Sequence, residues 1–397
     1  MTKHSQNIRY VGTCAFGIRM PIITQGADIE NIISDTIIDA TKTKYQPLSI
    51  HNGDIIGITE SFLARAQGNY ITLDDIAQDV AKKFPSGDIG IAFPILSRNR
   101  FAKILEGIAK GTKGKVYVFL SYPADEVGNA IMYEDDLFNS DINPYTDIIT
   151  KDDFRKKFGT FHHPITGSDH IQMYENISDN IEVILLNNPK DILKFTNQVI
   201  VASIHIRNRQ KQILTKLGAN VCTLDEICNT PSKTRGWSEY GVLGSNYADK
   251  NSLKLFPRDS MSFCANLQKI LKEKTGKHIE VLIYGDGGFK CPKTKIWEFA
   301  DPVVSPGYTN GLEGMPNEIK IKAVADNNKE NPEEAIKQAI NNKKKNNGFY
   351  SIGTTPRQIT DLLGSLCDLI TGSGDKGTPV VYIKGYFDNY LTSAPTE

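Results

Sequence analysis

Three short apolar runs, each breaking off at a carboxylate, constrain this chain more than any other feature. Asp54 to Thr59 reads DIIGIT and ends on Glu60. Val116 to Leu120 reads VYVFL and passes through Pro123 into Asp125, Glu126, Gly128 and Asn129. His278 to Tyr284 reads HIEVLIY and meets Gly285, Asp286, Gly287 and Gly288. β-Branched and aromatic runs bounded by turn residues are core strands, and loops at strand ends are where α/β-type enzymes place their chemistry. If the three strands are parallel neighbours, Glu60, Asp125, Glu126 and Asp286 converge at one edge. Clustered carboxylates repel unless they share a cation, so such an edge points to Mg²⁺ or Mn²⁺, hard ions that take oxygen ligands and carry substrate phosphates. A plainer reading stands beside it. Asp and Asn bond their own backbone in turns, and Glu60 can cap a helix and pair with Arg65.

A chain of 397 residues exceeds one typical domain, so two domains, or one with an insertion, is the expectation. The net charge is zero, which gives no global field toward nucleic acid or anionic lipid, and nucleic acid is not expected as a partner. The start, MTKHSQNIRY, lacks a signal-peptide core, and no apolar run reaches the roughly 18 residues of a membrane span. A cytoplasmic protein with no membrane association is the expectation. Cysteines 14, 222, 228, 264, 291 and 367 form no CxxC pair and read as reduced thiols.

In chain order, Ile8 to Val11 reads as a short strand and Phe16 to Ile23, FGIRMPII, as an extended segment held open by Pro21. Ile29, Ile32, Ile33 and Ile37 mark one face of a helix over Asp28 to Ala40. Gln67, Gly68 and Asn69 supply turn chemistry. Ser97 reads as an N-cap for a helix over Asn99 to Lys110, with Arg98 and Arg100 near its first turn. Arginines there oppose the helix dipole, a penalty that a phosphate at the helix start would remove.

His162, His163, Asp169 and His170 resemble a metal cluster in composition, but Pro164 interrupts them and none shares the i, i+4 spacing of a helical zinc site; they read as loop histidines. Strands are expected at Ile181 to Leu186 and Val199 to Ile206, a loop over Ser238 to Pro257, and helices at Met261 to Lys272 and Gln358 to Ile370. The last runs into TGSGDKG, Thr371 to Gly377, where glycines with Ser373, Asp375 and Lys376 could form a phosphate nest.

Together FGIRMPII, GDIIGITESFLARAQGN, DEVGN, IYGDGG and DLLGSLCDLITGSGDKGTPVVYIKGY resemble the coenzyme F420-0:L-glutamate (gamma-glutamyl) ligase family. The resemblance implies an α+β fold of mixed sheets with packed helices, a homodimer, small-molecule substrates, GTP as co-substrate, and Mg²⁺ or Mn²⁺. Residue by residue, it implies nucleotide contacts at Met20, Pro21, Ile22, Ile23, Glu60, Arg65 and Asn129, and a nucleotide loop of Gly372, Ser373, Gly374, Asp375 and Lys376. It implies metal ligation by Asp125 or Glu126 and by Asp286, with Arg65, Asp125 and Asp286 catalytic. The implied reaction is acid–amine ligation through an acyl phosphate; an amide ligase for another acceptor or amino acid, or an inactive nucleotide-binding regulator, are the alternatives. The family's domain then spans 1–130 and 276–397, with 131–275 an insertion or second domain. The chain departs from the family pattern where Gly287 replaces a threonine ligand, where KCPKTKIWEFADP replaces an arginine-rich continuation, and where the His- and Gly-rich block before the first metal aspartate is missing.

Overall fold

The computed structural model describes residues 10–97, 100–164, 166–285, 305–343, 357–371 and 375–392, with the backbone alone at 288–290 and 297–299. Its strands are β1 (Cys14–Ile18), β2 (Ile55–Thr59), β3 (Tyr70–Thr72), β4 (Ile89–Ala92), β5 (Val116–Leu120), β6 (Ile149–Thr150), β7 (Ile181–Leu185) and β8 (Gln198–Val201). They continue as β9 (Asn220–Thr223), β10 (Asn246–Asp249), β11 (Ser252–Lys254), β12 (Glu280–Tyr284), β13 (Gly288–Lys290), β14 (Trp297–Phe299), β15 (Gly307–Tyr308) and β16 (Val380–Lys384). Mixed sheets with packed helices make the fold α+β.

Two sheets organise the molecule. A five-stranded sheet has the order β1-β16-β2-β12-β15, and a six-stranded sheet the order β6-β7-β5-β4-β8-β9. In the first, β2 and β12 are the one pair of neighbours that runs parallel, with Ile55 opposite Glu280 and Thr59 opposite Tyr284. In the second, β7, β5, β4, β8 and β9 all run parallel, and only β6 is antiparallel. Counting from β4, the parallel strands lie in the spatial order 3-2-1-4-5 of a doubly wound nucleotide-binding sheet.

Alternate residues of each sheet feed different cores. Ile56, Ile58, Val281, Ile283, Val380 and Tyr382 pack with the helices Ile29–Lys42 and Ser260–Thr275, while Ile55, Leu282, Tyr284, Val381 and Ile383 pack under the helix Ile359–Thr371. Strands apolar on both faces have to be covered on both sides. The six-stranded sheet obeys the same rule: Ile91, Val118 and Val183 enter one core, Ala92, Phe119 and Ile184 the other.

Two expectations need correcting. The sequence puts a boundary at 130, but β4 and β5 hydrogen-bond to β8 and β7, so one sheet draws on both sides of that point. The far boundary at 275 fails similarly, because Phe263, Cys264, Leu267 and Leu271 already belong to the core of the five-stranded sheet. Parallel pairing between strands far apart in sequence leaves no local mark at such borders. Second, the three acid-ended strands do not lie side by side: β2 and β12 are parallel neighbours, while β5 sits in the other sheet.

Candidate functional site

The N-terminal residues for which the family resemblance implies nucleotide contacts meet on the five-stranded sheet. The helix Glu60–Ala66 begins directly at the end of β2. Glu60 is held there by an ion pair with Lys254, both side chains being largely buried at 13% and 12% exposure. Arg65 is exposed and donates from Nε to the Ile23 carbonyl at 3.0 Å, which fixes it beside the FGIRMPII segment. Thus Arg65 and Glu60 take separate partners. Ile23 is buried in the core, while Pro21 and Ile22 face solvent. The Met20 amide donates to the Gly377 carbonyl at 3.0 Å, and the Thr59 amide to the Pro379 carbonyl at 3.0 Å. These two bonds bring the segment at Met20, the end of β2 and the exposed Asp375 and Lys376 to one edge of the sheet. Asp286 and Gly372, Ser373 and Gly374 lie outside the described residues.

Asp125, Glu126 and Asn129 stand elsewhere, at the carboxyl end of the six-stranded sheet. Asp125 is saturated by the chain: Oδ1 accepts from the amides of Val127 and Asn129 at 3.1 and 2.8 Å, Oδ2 from the Leu96 amide and Asn129 Nδ2 at 2.9 and 2.8 Å. Burial pushes its carboxyl above the usual range, against the pull of those bonds from Asn129, Leu96 and Val127. A carboxylate offers about four lone-pair positions, and here the protein fills all of them. Glu126 accepts from the backbone amides of Ile204 and His205. Asp125 therefore holds the loop after β4, and Glu126 the loop after β8. The acidic turn is the clamp across the two strands at which the order of the parallel sheet reverses.

Among the described residues, no group of three or more His, Cys, Asp or Glu side chains is arranged to hold a metal ion. His163 and His170 are both buried, with ring centroids 5.7 Å apart. Burial lowers the pKa of each, that of His170 to about 4.

Sequence reasoning missed Lys254, the ion-pair partner of Glu60. The signal was present in LKLFP, since alternation of buried Leu253 and Leu255 about Lys254 marks a strand with one polar face. It also missed what Gln67 and Asn69 do. Gln67 and Arg258 are joined by three bonds, at 2.7, 3.0 and 3.3 Å, and the fully buried Asn69 donates to the Phe256 carbonyl and accepts from the Trp237 amide and Arg258.

Mixed sheets, packed helices and a strand-end edge gathered from distant segments define an α+β protein with its candidate site at that edge. The family model of F420-0:Gamma-glutamyl ligase matches residues 17–385, and the chain belongs to that family. It is thereby a member of a ligase family of coenzyme F420 biosynthesis, with small molecules as substrates. No curated protein matches the chain at a significant level. No helix among the described residues is long and apolar enough to cross a membrane.

Proposed function

We propose that the chain is a GTP-dependent ligase that adds L-glutamate to the carboxylate of an F420-0-like acceptor. The family match over 17–385 carries the reading, because it spans every segment to which nucleotide contacts were assigned. The bonds Met20 to Gly377 and Arg65 to Ile23 support it by gathering those segments at one edge. In the proposed reaction an acceptor carboxylate oxygen attacks the γ-phosphorus of GTP and GDP leaves. The amine of glutamate then attacks the acyl carbon, loses a proton and expels phosphate. Arg65 and Lys376, both exposed at that edge, are the side chains available to balance phosphoryl charge.

A divalent cation, Mg²⁺ or Mn²⁺, is part of the proposal, but Asp125 does not fit as its ligand because its lone pairs are taken by four N–H donors. Glu126 is committed to two backbone amides of the β8 loop. That leaves Asp286 of the assigned set, and no step is derived through the ion. A cytoplasmic homodimer completes the proposal.

The test is phosphate release from GTP and from ATP with Mg²⁺ or Mn²⁺, glutamate and the deazaflavin acceptor, with mass spectrometry of the acceptor. One glutamate gained per GDP formed is the expected result. Stabilisation against heat by GTP without acceptor-dependent phosphate would remove the ligase reading and leave a nucleotide-binding protein.

A further inference from the structure

Beyond the edge assigned to the nucleotide, the six-stranded sheet has a crevice of its own. In open parallel sheets, ligands bind past the carboxyl ends of the strands where the strand order reverses. Here that point lies between β4 and β8. Phe93, directly after β4, takes φ +54° and Pro94 follows, so the chain swings off the sheet there. A cavity of about 50 Å³ opens at this place, between the loops that follow β4 and β8 and the turn at Leu243, Gly244 and Ser245. At about 10–15 Å³ per water it holds roughly three to five heavy atoms, too few for a nucleotide.

Among the described residues, the charges and dipoles around the cavity are already engaged by the protein. Asp125 holds the Leu96 amide, and Glu126 holds the opposite lip at Ile204 and His205. At the start of the helix Phe101–Gly111, the amides of Arg100, Ala102, Lys103 and Ile104 donate to Ser97 and Arg100, so this helix end offers an anion nothing. Arg100 has a further interaction of its own and is not an open cation. An ion entering here would be buried without a counter-charge, which costs far more than burying a neutral dipole.

What the cavity does offer is an apolar wall and one unspent polar group. Ile95, Phe101, Ile104, Ile204, Leu224 and Leu243 make up most of the lining, which suits an alkyl body. Ser245 also lines it, is 1% exposed, and its Oγ has no hydrogen-bond partner among the described residues. Gly244 has φ +71° and an added Cβ would fall 1.9 Å from the Phe256 ring, so only glycine makes the turn that presents this serine. A buried hydroxyl costs stability unless something pairs with it. It both donates and accepts, so the head of an alcohol, a ketone or a carboxamide satisfies it equally. We infer that the crevice between β4 and β8 is a second site, for a small uncharged molecule with one hydrogen-bonding head on a short alkyl body, Ser245 Oγ meeting the head and the apolar walls the body.

Calorimetric titration of the full chain with 1-butanol, beside butylammonium and propionate, tests this, because the three are alike in heavy atoms and differ in charge. Saturable butanol binding is expected, at least about tenfold tighter than that of either ion. Ser245→Ala is expected to weaken butanol about fivefold, the effect of one neutral hydrogen bond, while its Tm without ligand stays no lower than that of the parent. The cavity-filling Ala202→Leu is expected to abolish binding, and Ile104→Phe gives the same readout where Ala202→Leu does not fold. No saturable butanol binding, an ion bound as tightly as butanol, butanol binding unchanged by Ser245→Ala, or a Tm lowered by that substitution would each overturn the site. Because no nucleotide is present in the titration, its failure leaves the ligase reading untouched.

Discussion

At the scale of single residues, the acidic turn is where two roles compete, and its hydrogen bonds separate them. Asp125→Asn replaces four acceptor positions by one amide oxygen and two donors, leaving at least two of the donors from Leu96, Val127 and Asn129 without a partner. A loss of roughly 3 kcal/mol is expected, read by urea denaturation. In the folded variant, Mn²⁺ affinity measured with GTP present should be unchanged. Full stability with lost Mn²⁺ binding would instead return Asp125 to the metal. His170 yields a pH dependence. Burial first, and the neighbouring His163 second, hold its pKa at about 4 against 6.5 for the free side chain. Between those values the unfolded chain binds the proton and the folded chain does not, so stability rises with pH through that window and is lost as pH falls from about 6.5 to 4. The loss is at most about 3 kcal/mol. Asp125 acts in the opposite sense, its raised pKa favouring the folded state in acid. His170→Phe isolates the histidine: the slope of stability against pH between 4 and 6.5 should flatten by roughly one bound proton, and a slope equal to that of the parent would refute the assignment.

At the scale of elements, legibility followed the local signal. Val116–Leu120 appears as a strand with the expected bounds, and the helix Ile29–Lys42 begins after Asp28, whose side chain accepts from the Asn31 amide as an N-cap. Those segments declare themselves through periodicity and caps. Inside the expected loop β10 did not, because Tyr247 and Asp249 face solvent, and the pairing of the hairpin β10–β11 is completed by β3, more than a hundred residues earlier. The first strand is likewise displaced: Tyr10 and Val11 are irregular and Cys14–Ile18 is the strand, an edge whose register is set by β16. Such strands exist because a distant partner supplies the hydrogen bonds. The candidate site divides the same way. Arg65 and Met20 could be named from motifs, whereas Lys254 reaches Glu60 only through tertiary folding.

At the scale of the whole molecule, the question is how two sheets, each with its own pair of cores, behave as one. The chain leaves the five-stranded sheet through residues 60–72 and returns to it through 254–260, and both crossings are stitched together at Asn69. Its side chain reaches the Phe256 carbonyl at 2.6 Å, the Trp237 amide at 3.0 Å and Arg258 at 3.0 Å, while its own carbonyl accepts from Leu255 at 3.0 Å. Asn69→Ala strands a buried carbonyl, an amide and a guanidinium N–H at once, a cost of roughly 3 kcal/mol. That cost falls on the junction and not on either core. Each sheet retains enough buried apolar surface to unfold cooperatively by itself, so the variant should lose coupling before it loses fold. In urea, Trp237 fluorescence should report the junction opening at a lower midpoint than the far-UV circular dichroism of the two sheets, where the parent gives coincident curves. If the variant's two probes still coincide, the sheets are joined by their wider interface and Asn69 is only one contact among many.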